Sequence, residues 1–233
     1  MKWETLPDYD AMSDRAARIL LTAIRERPRA ILGLPTGRTP IGMYQRVVHE
    51  CGREYHCFHD VSTFNLDEYV GIPRTHPGSY LTFMQQNLFG YVDLDPANAH
   101  IPDGMTTDLD AECARYDATI AAAGGLDLTF LGLGSNGHIA FNEPGTPFTA
   151  RTRVVTLARS TREANASLFP DGNVPTHAIT MGIATILESK RIVLLASGAT
   201  KGPAIERLRS GEVTAEFPAS ALHAHPDVLV LTA

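Results

Sequence analysis

The chain has 233 residues, a formal charge of −6 at pH 7 and a pI near 5.8, with 44% apolar and 20% charged residues. These values suit one large globular domain. They exclude a fibre, a disordered tail and a general nucleic-acid binder, because affinity for a polyanion rests on clustered basic residues that release counterions.

Along the chain, short apolar runs alternate with segments of helical period. Helices are expected at Asp10–Arg27, Ile41–Glu50, Gly78–Leu88, Asp108–Ala123, Thr176–Glu188 and Thr200–Arg209. Strands are expected at Ala30–Leu34, Val61–Leu66, Leu126–Leu133, Arg191–Ala196 and Val228–Leu231. The apolar runs are continuous rather than alternating, as in strands buried on both faces of a parallel sheet. The order of elements predicts a single-domain α/β fold, a doubly wound, mostly parallel sheet with helices on both faces and right-handed crossovers. No repeat and no low-complexity linker divides it.

Cys51, Cys57 and Cys113 are odd in number and form no Cys-x-x-Cys, and Met1–Glu4 lacks the apolar run of a signal peptide. The expected setting is therefore a reducing cytoplasm. The apolar stretches are far shorter than the roughly 20 residues that span a bilayer, so no membrane partner is expected.

Residues with chemical potential follow the strand runs, where open α/β sheets bind ligands. Leu34–Pro40 places Thr36, Gly37, Arg38 and Thr39 between a strand and a helix that Pro40 would open. Such a turn can aim backbone N–H groups and a helix dipole at a phosphate, or it can be a plain turn capped by Thr39. It lacks the lysine of a P-loop and the spacing of a dinucleotide loop. At the second strand end stand two adjacent acids, Asp67 and Glu68; on extended backbone only one can face a pocket, where burial could tune it as a base toward a carbon acid.

Leu131–Pro144 is the most informative stretch. Gly132, Gly134 and Gly137 let backbone pass close to a ligand, while Asn136, His138 and Glu143 offer an amide, an imidazole and a carboxylate. Arg162 and Lys201 are single cations near expected helix starts, readable as surface charges or as parts of a phosphate clamp. His56/His59 and His223/His225 lie close in sequence, but no Cys or acid spacing makes them a zinc site, so no metal is expected.

The chain resembles the glucosamine-6-phosphate deaminase family, in its short-chain branch. The carrying motifs are Leu34–Pro40, Phe64–Gly71 with His76–Tyr80, Gly132–Pro144, Thr152–Leu157 with Thr161–Asn165, His177–Gly182 and Ala219–Pro226. The resemblance implies a Rossmann-like fold, no cofactor, and glucosamine 6-phosphate as the small-molecule substrate. It further implies that Asp67 moves the proton from C2 to C1, that His138 moves the ring-opening proton, and that Glu143 holds the histidine. Thr36, Gly37, Arg38, Thr39, Gly137, Arg162 and Lys201 match positions that approach substrate, the last two at its phosphate.

Asn136 replaces the aspartate of many relatives, giving weaker electrostatic support to an imidazolium. Val155 replaces the second member of a basic pair near Arg153, and the chain stops at Ala233, so activation by N-acetylglucosamine 6-phosphate is not expected. Two other readings stand beside this one: a 6-phosphogluconolactonase-type hydrolase and a non-catalytic sugar-phosphate sensor. A homo-oligomer is compatible with the sequence, which does not fix the assembly.

Overall fold

The computed structural model describes residues 1–52, 57–169 and 172–233. The chain opens with strand β1 (Lys2–Thr5) and helix α1 (Tyr9–Glu26). Asp8 caps α1 by accepting a hydrogen bond from Ala11 N at 2.7 Å, and Met12, Ala16 and Leu20 form its buried stripe. Strand β2 (Ile31–Leu34), helix α2 (Ile41–Cys51), strand β3 (Ser62–Asn65) and strand β4 (Asp67–Tyr69) follow. Helix α3 (Tyr80–Asn87) is capped by Ser79. Next come β5 (Ala99–His100) and α4 (Leu109–Ala123), which ends at Gly124 in the left-handed region, φ 101°. The rest comprises β6 (Leu128–Gly132), β7 (Arg153–Thr156), α5 (Arg159–Asn165), β8 (His177–Thr180), α6 (Ile183–Leu187), β9 (Ile192–Ala196), α7 (Gly202–Arg209) and β10 (Val228–Thr232).

The main sheet has the order β1-β10-β9-β6-β2-β3-β5, with every pairing parallel. Its central strands are buried on both sides, which is why they read as unbroken apolar runs. Phe130, Val193, Leu195, Leu229 and Leu231 face one core with α1 and α2; Leu131, Ile192, Leu194, Val228 and Val230 face the other with Tyr116, Ile120 and Leu208. Strand order runs outward in both directions from β2 and β6, so the crevice between their carboxyl ends is the topological switch point.

Several expectations need correction. Thr176–Glu188 is not one helix. Its first part is strand β8, pairing antiparallel with β4 and β7 in a second, three-stranded sheet, and only Ile183–Leu187 is helical. Gly182 separates the two at a point where an added Cβ would lie 2.1 Å from the Ala150 carbonyl oxygen, and β-branched Ile179 and Thr180 supply the strand. Asp67 and Glu68 do not end β3 but form, with Tyr69, a separate strand β4 of that small sheet. Pro40 stands at the N-cap of α2 instead of inside it.

The cysteines also depart from expectation: the Cα atoms of Cys51 and Cys57 lie 5.5 Å apart and the two form a disulfide, while Cys113 is free and buried. Among the described residues no helix is long and apolar enough to cross a membrane. His223 Nε2 meets Leu208 O at 2.9 Å and His225 Nε2 meets Ser189 O at 2.6 Å, so both rings are engaged with backbone, whereas His56 lies outside the described residues.

Candidate active site

The loop after β2 is held from behind by phenols. Tyr44 Oη donates to Pro35 O at 2.6 Å; Tyr9 Oη donates to Thr39 O at 3.1 Å and accepts from Gly42 N at 2.8 Å. Gly37 has φ 92°, a conformation that strains a residue with a side chain. With carbonyls turned into the fold, the N–H groups of Gly37, Arg38 and Thr39 meet no acceptor among the described residues. The Tyr80 hydroxyl reaches Tyr69 Oη at 3.3 Å.

Asp67 opens β4 opposite Thr180 and is 6% exposed. Among the described residues no donor and no cation reaches its carboxylate. Burial, then the neighbouring Glu68 charge, pushes its pKa up to about 8. A buried acid with no partner is expensive, and that cost points to chemical use.

The loop after β6 carries a connected chain. The His138 Nδ1–H donates to Asn136 Oδ1 at 2.7 Å, Asn136 Nδ2 donates to Glu143 Oε2 at 2.7 Å, and the Thr161 hydroxyl donates to Glu143 Oε1 at 2.7 Å. This amide orientation fixes the tautomer, with hydrogen on Nδ1 and Nε2 left as the working atom. The ring packs against Gly134, where an added Cβ would stand 2.4 Å from it, and Gly137, φ 87°, faces the Phe217 ring equally closely. Ala140, φ 50°, is the one non-glycine residue with positive φ among those described, within the turn that returns the chain to Glu143. Burial lowers the His138 pKa, Glu143 opposes this, and the Lys201 charge adds to it.

Lys201 ends the 3-10 turn after β9, close enough to Arg38 that burial and then that cation hold its ammonium below the usual range. Arg162 lies on α5, one residue beyond Thr161, and its Nε is buried without a hydrogen-bond partner among the described residues. Arg38, Lys201 and the open N–H groups thus form a cationic end beside His138, a natural seat for a doubly charged phosphate. No group of three or more metal-binding side chains occurs among the described residues.

The family model for glucosamine-6-phosphate isomerases/6-phosphogluconolactonase matches residues 8–230. The chain belongs to this family. It is 52% identical over 232 residues to the glucosamine-6-phosphate deaminase of Lysinibacillus sphaericus (strain C3-41), covering 99% of this chain and 98% of the relative. It is 47% identical over 232 residues to glucosamine-6-phosphate deaminase 1 of Bacillus subtilis (strain 168), covering 99% and 96%. The solved structure of a monomeric glucosamine-6-phosphate deaminase superposes with a TM-score of 0.97 at 47% identity, covering 100% of this chain and 97% of that one. A 6-phosphogluconolactonase from Thermotoga maritima shares the fold, with a TM-score of 0.77 and 19% identity over 99% and 98% of the two chains. This chain is accordingly an enzyme of the family, with its α/β fold.

Within this family member, sequence reading missed the groups that hold the site. Thr161 anchors Glu143 from another element. Arg153 donates to Asn142 Oδ1 at 2.8 Å and Thr146 Oγ1 at 3.3 Å, bracing the loop next to Glu143. Val155, on the same strand, packs beside the small aromatic cluster of Tyr69, Tyr80, Phe141 and Phe169. The motifs Thr152–Leu157 and Thr161–Asn165 carried the signal for Arg153, Val155 and Thr161, without showing what these residues hold.

Proposed function

We propose that this enzyme isomerises and deaminates glucosamine 6-phosphate, giving fructose 6-phosphate and ammonia. The observation that carries the reading is the pairing of an unpartnered buried carboxylate, Asp67, with a separate imidazole relay at a cationic strand-end crevice. A carbon acid needs the first and a ring-opening proton transfer needs the second.

The phosphate is held by the N–H groups and side chains of Thr36, Gly37, Arg38 and Thr39, with Lys201 and Arg162 supplying charge. Gly137 lets backbone approach the sugar. His138 Nε2 passes the proton between the O1 hydroxyl and the ring oxygen, opening the pyranose to the aldehyde. The Asn136–Glu143–Thr161 chain keeps Nδ1 protonated and the ring oriented; because Asn136 is neutral, the charge that stabilises the imidazolium is that of Glu143, whose Oε2 lies 3.7 Å from Nδ1. Asp67 removes the C2 proton to give an enolamine and returns it to C1, so that C2 becomes an imine carbon. Water adds to C2 and ammonia leaves, one water consumed for each ammonia released.

Asp67 supplies the C2-to-C1 proton transfer and His138 the ring-opening one. The chemistry suits amino-sugar breakdown in a cytoplasm. Coupled detection of fructose 6-phosphate and ammonia from glucosamine 6-phosphate tests it, with unphosphorylated glucosamine as control. Hydrolysis of 6-phosphogluconolactone without ammonia release from the amino sugar would reverse it in favour of the lactonase chemistry.

A further inference from the structure

Glu68 is 3% exposed, carries an acid next to the base, and has no task in the scheme above. Its carboxylate is spent on backbone. It accepts from Tyr69 N at 2.8 Å, from Tyr80 N at 3.0 Å with both oxygens, and from Leu81 N at 3.2 Å. The last two are among the first N–H groups of α3, which have no partner inside the helix and present the positive end of its dipole. A glutamate reaches them from β4 while Asp67, one residue earlier, faces the opposite side.

We propose that Glu68 is the positioning residue of the Asp67 base: clamped on the start of α3, it fixes the β4 backbone beneath Asp67 and holds a fixed negative charge beside it. The proposal rests on the reading of Asp67 as the C2 base. Asp67 has no donor among the described residues, whereas Glu68 has three, so Glu68 ionises first and Asp67 ionises against its charge. Both carboxyls titrate above the ordinary range, burial being the larger cause in each. The other groups facing the pair do not supply this effect. The phenols of Tyr69, Tyr80 and Tyr116 face Asp67 and are kept neutral by burial, and the Arg74 guanidinium acts on Glu68 in the opposite sense.

The clamp reaches further than the base. Glu68 holds Tyr80 N, and the Tyr80 hydroxyl reaches Tyr69 Oη at 3.3 Å, so the one carboxylate also ties the start of α3 to β4. Glutamine cannot replace it: one carbonyl oxygen would face three N–H donors, and the amide would point a fourth donor at them.

The test compares wild type and Glu68→Gln in the pH dependence of kcat/KM for ammonia release. Substrate titrations are common to both proteins and cancel. The acid limb should move down by about one pH unit in Glu68→Gln, the size expected for removing a like charge one residue away. A lower rate with an unmoved limb would overturn the proposal, leaving Glu68 a structural cap. A second measurement stands if that variant does not fold. In Asp67→Asn the 13C carboxyl resonance of Glu68 should keep its wild-type midpoint, because Asp67 is still protonated while Glu68 ionises. A Glu68 midpoint that moved down in that variant would show that Asp67 ionises first and would also overturn it. Failure of wild type to release ammonia would count against the deaminase reading alone, because the carboxyl titration needs no turnover.

Discussion

The two halves of the site are built in opposite ways. At the end of β3 and the start of β4, Asp67 is buried with no donor among the described residues, and burial holds its proton. In the loop after β6, His138, Asn136, Glu143 and Thr161 form an unbroken run of hydrogen bonds, each near 2.7 Å. Under the proposed function, the difference follows from what each half must do. A base for a carbon acid must be free to take a proton and gains strength from isolation. A ring that shuttles a proton must hold one tautomer and one orientation, which only a satisfied network provides. The first region trades stability for reactivity, and the second adds stability while it works.

The largest test of that contrast is Asp67→Asn, which keeps shape and removes the base. Turnover should fall by about 10²-fold or more with substrate still bound. The melting temperature should rise, because the amide relieves a buried acid that has no partner. A variant that lost activity and stability together would break the comparison. Solvent deuterium exchange at C2 supplies the mechanistic readout, and exchange at the wild-type rate would move the base elsewhere. His138→Gln should cost about 10²-fold through slower ring opening, and a substrate population already in the open-chain form should restore part of the rate in this variant alone.

Next in size are Lys201→Ala and Arg162→Ala, each expected to weaken phosphate binding by about 1.5–3 kcal/mol, seen mainly as a higher KM. Unchanged affinity for the phosphorylated substrate would remove that residue from the clamp.

The acids also set a pH dependence of folding. Folded Asp67 titrates near about 8 against an ordinary 3.8, and folded Glu68 near about 7 against 4.5. Between those limits the native state binds more protons than the unfolded chain, so their contribution is fully present below the ordinary carboxyl range and is lost as pH rises toward about 8. Urea unfolding across that window should show stability falling by several kcal/mol as pH rises, with a shallower fall in Asp67→Asn. A flat profile would mean that the carboxyls are not strained as described.

The smallest expected effect is Thr161→Val, which removes one donor from Glu143. It should cost about 0.5–1.5 kcal/mol, in kcat rather than KM, because it loosens the histidine and leaves the clamp intact.

The sequence by itself determined the parallel core and marked the candidate residues at its strand ends. Runs such as Ile192–Ala196 and Val228–Thr232 are continuous because both faces of those strands are covered, and composition records that burial directly. Gly134, Asn136, Gly137, His138 and Glu143 lie within ten residues, so local spacing was enough to mark their loop. The second sheet was decided by tertiary structure. Its strands β4, β7 and β8 are three to four residues long and come from distant parts of the chain, and antiparallel pairing across such gaps leaves no local period. That sheet also divides the labour of the two adjacent acids: alternation along a strand says that Asp67 and Glu68 face opposite sides, but only the packing of β4 against α3 says which one meets three N–H groups and which one is left without a donor.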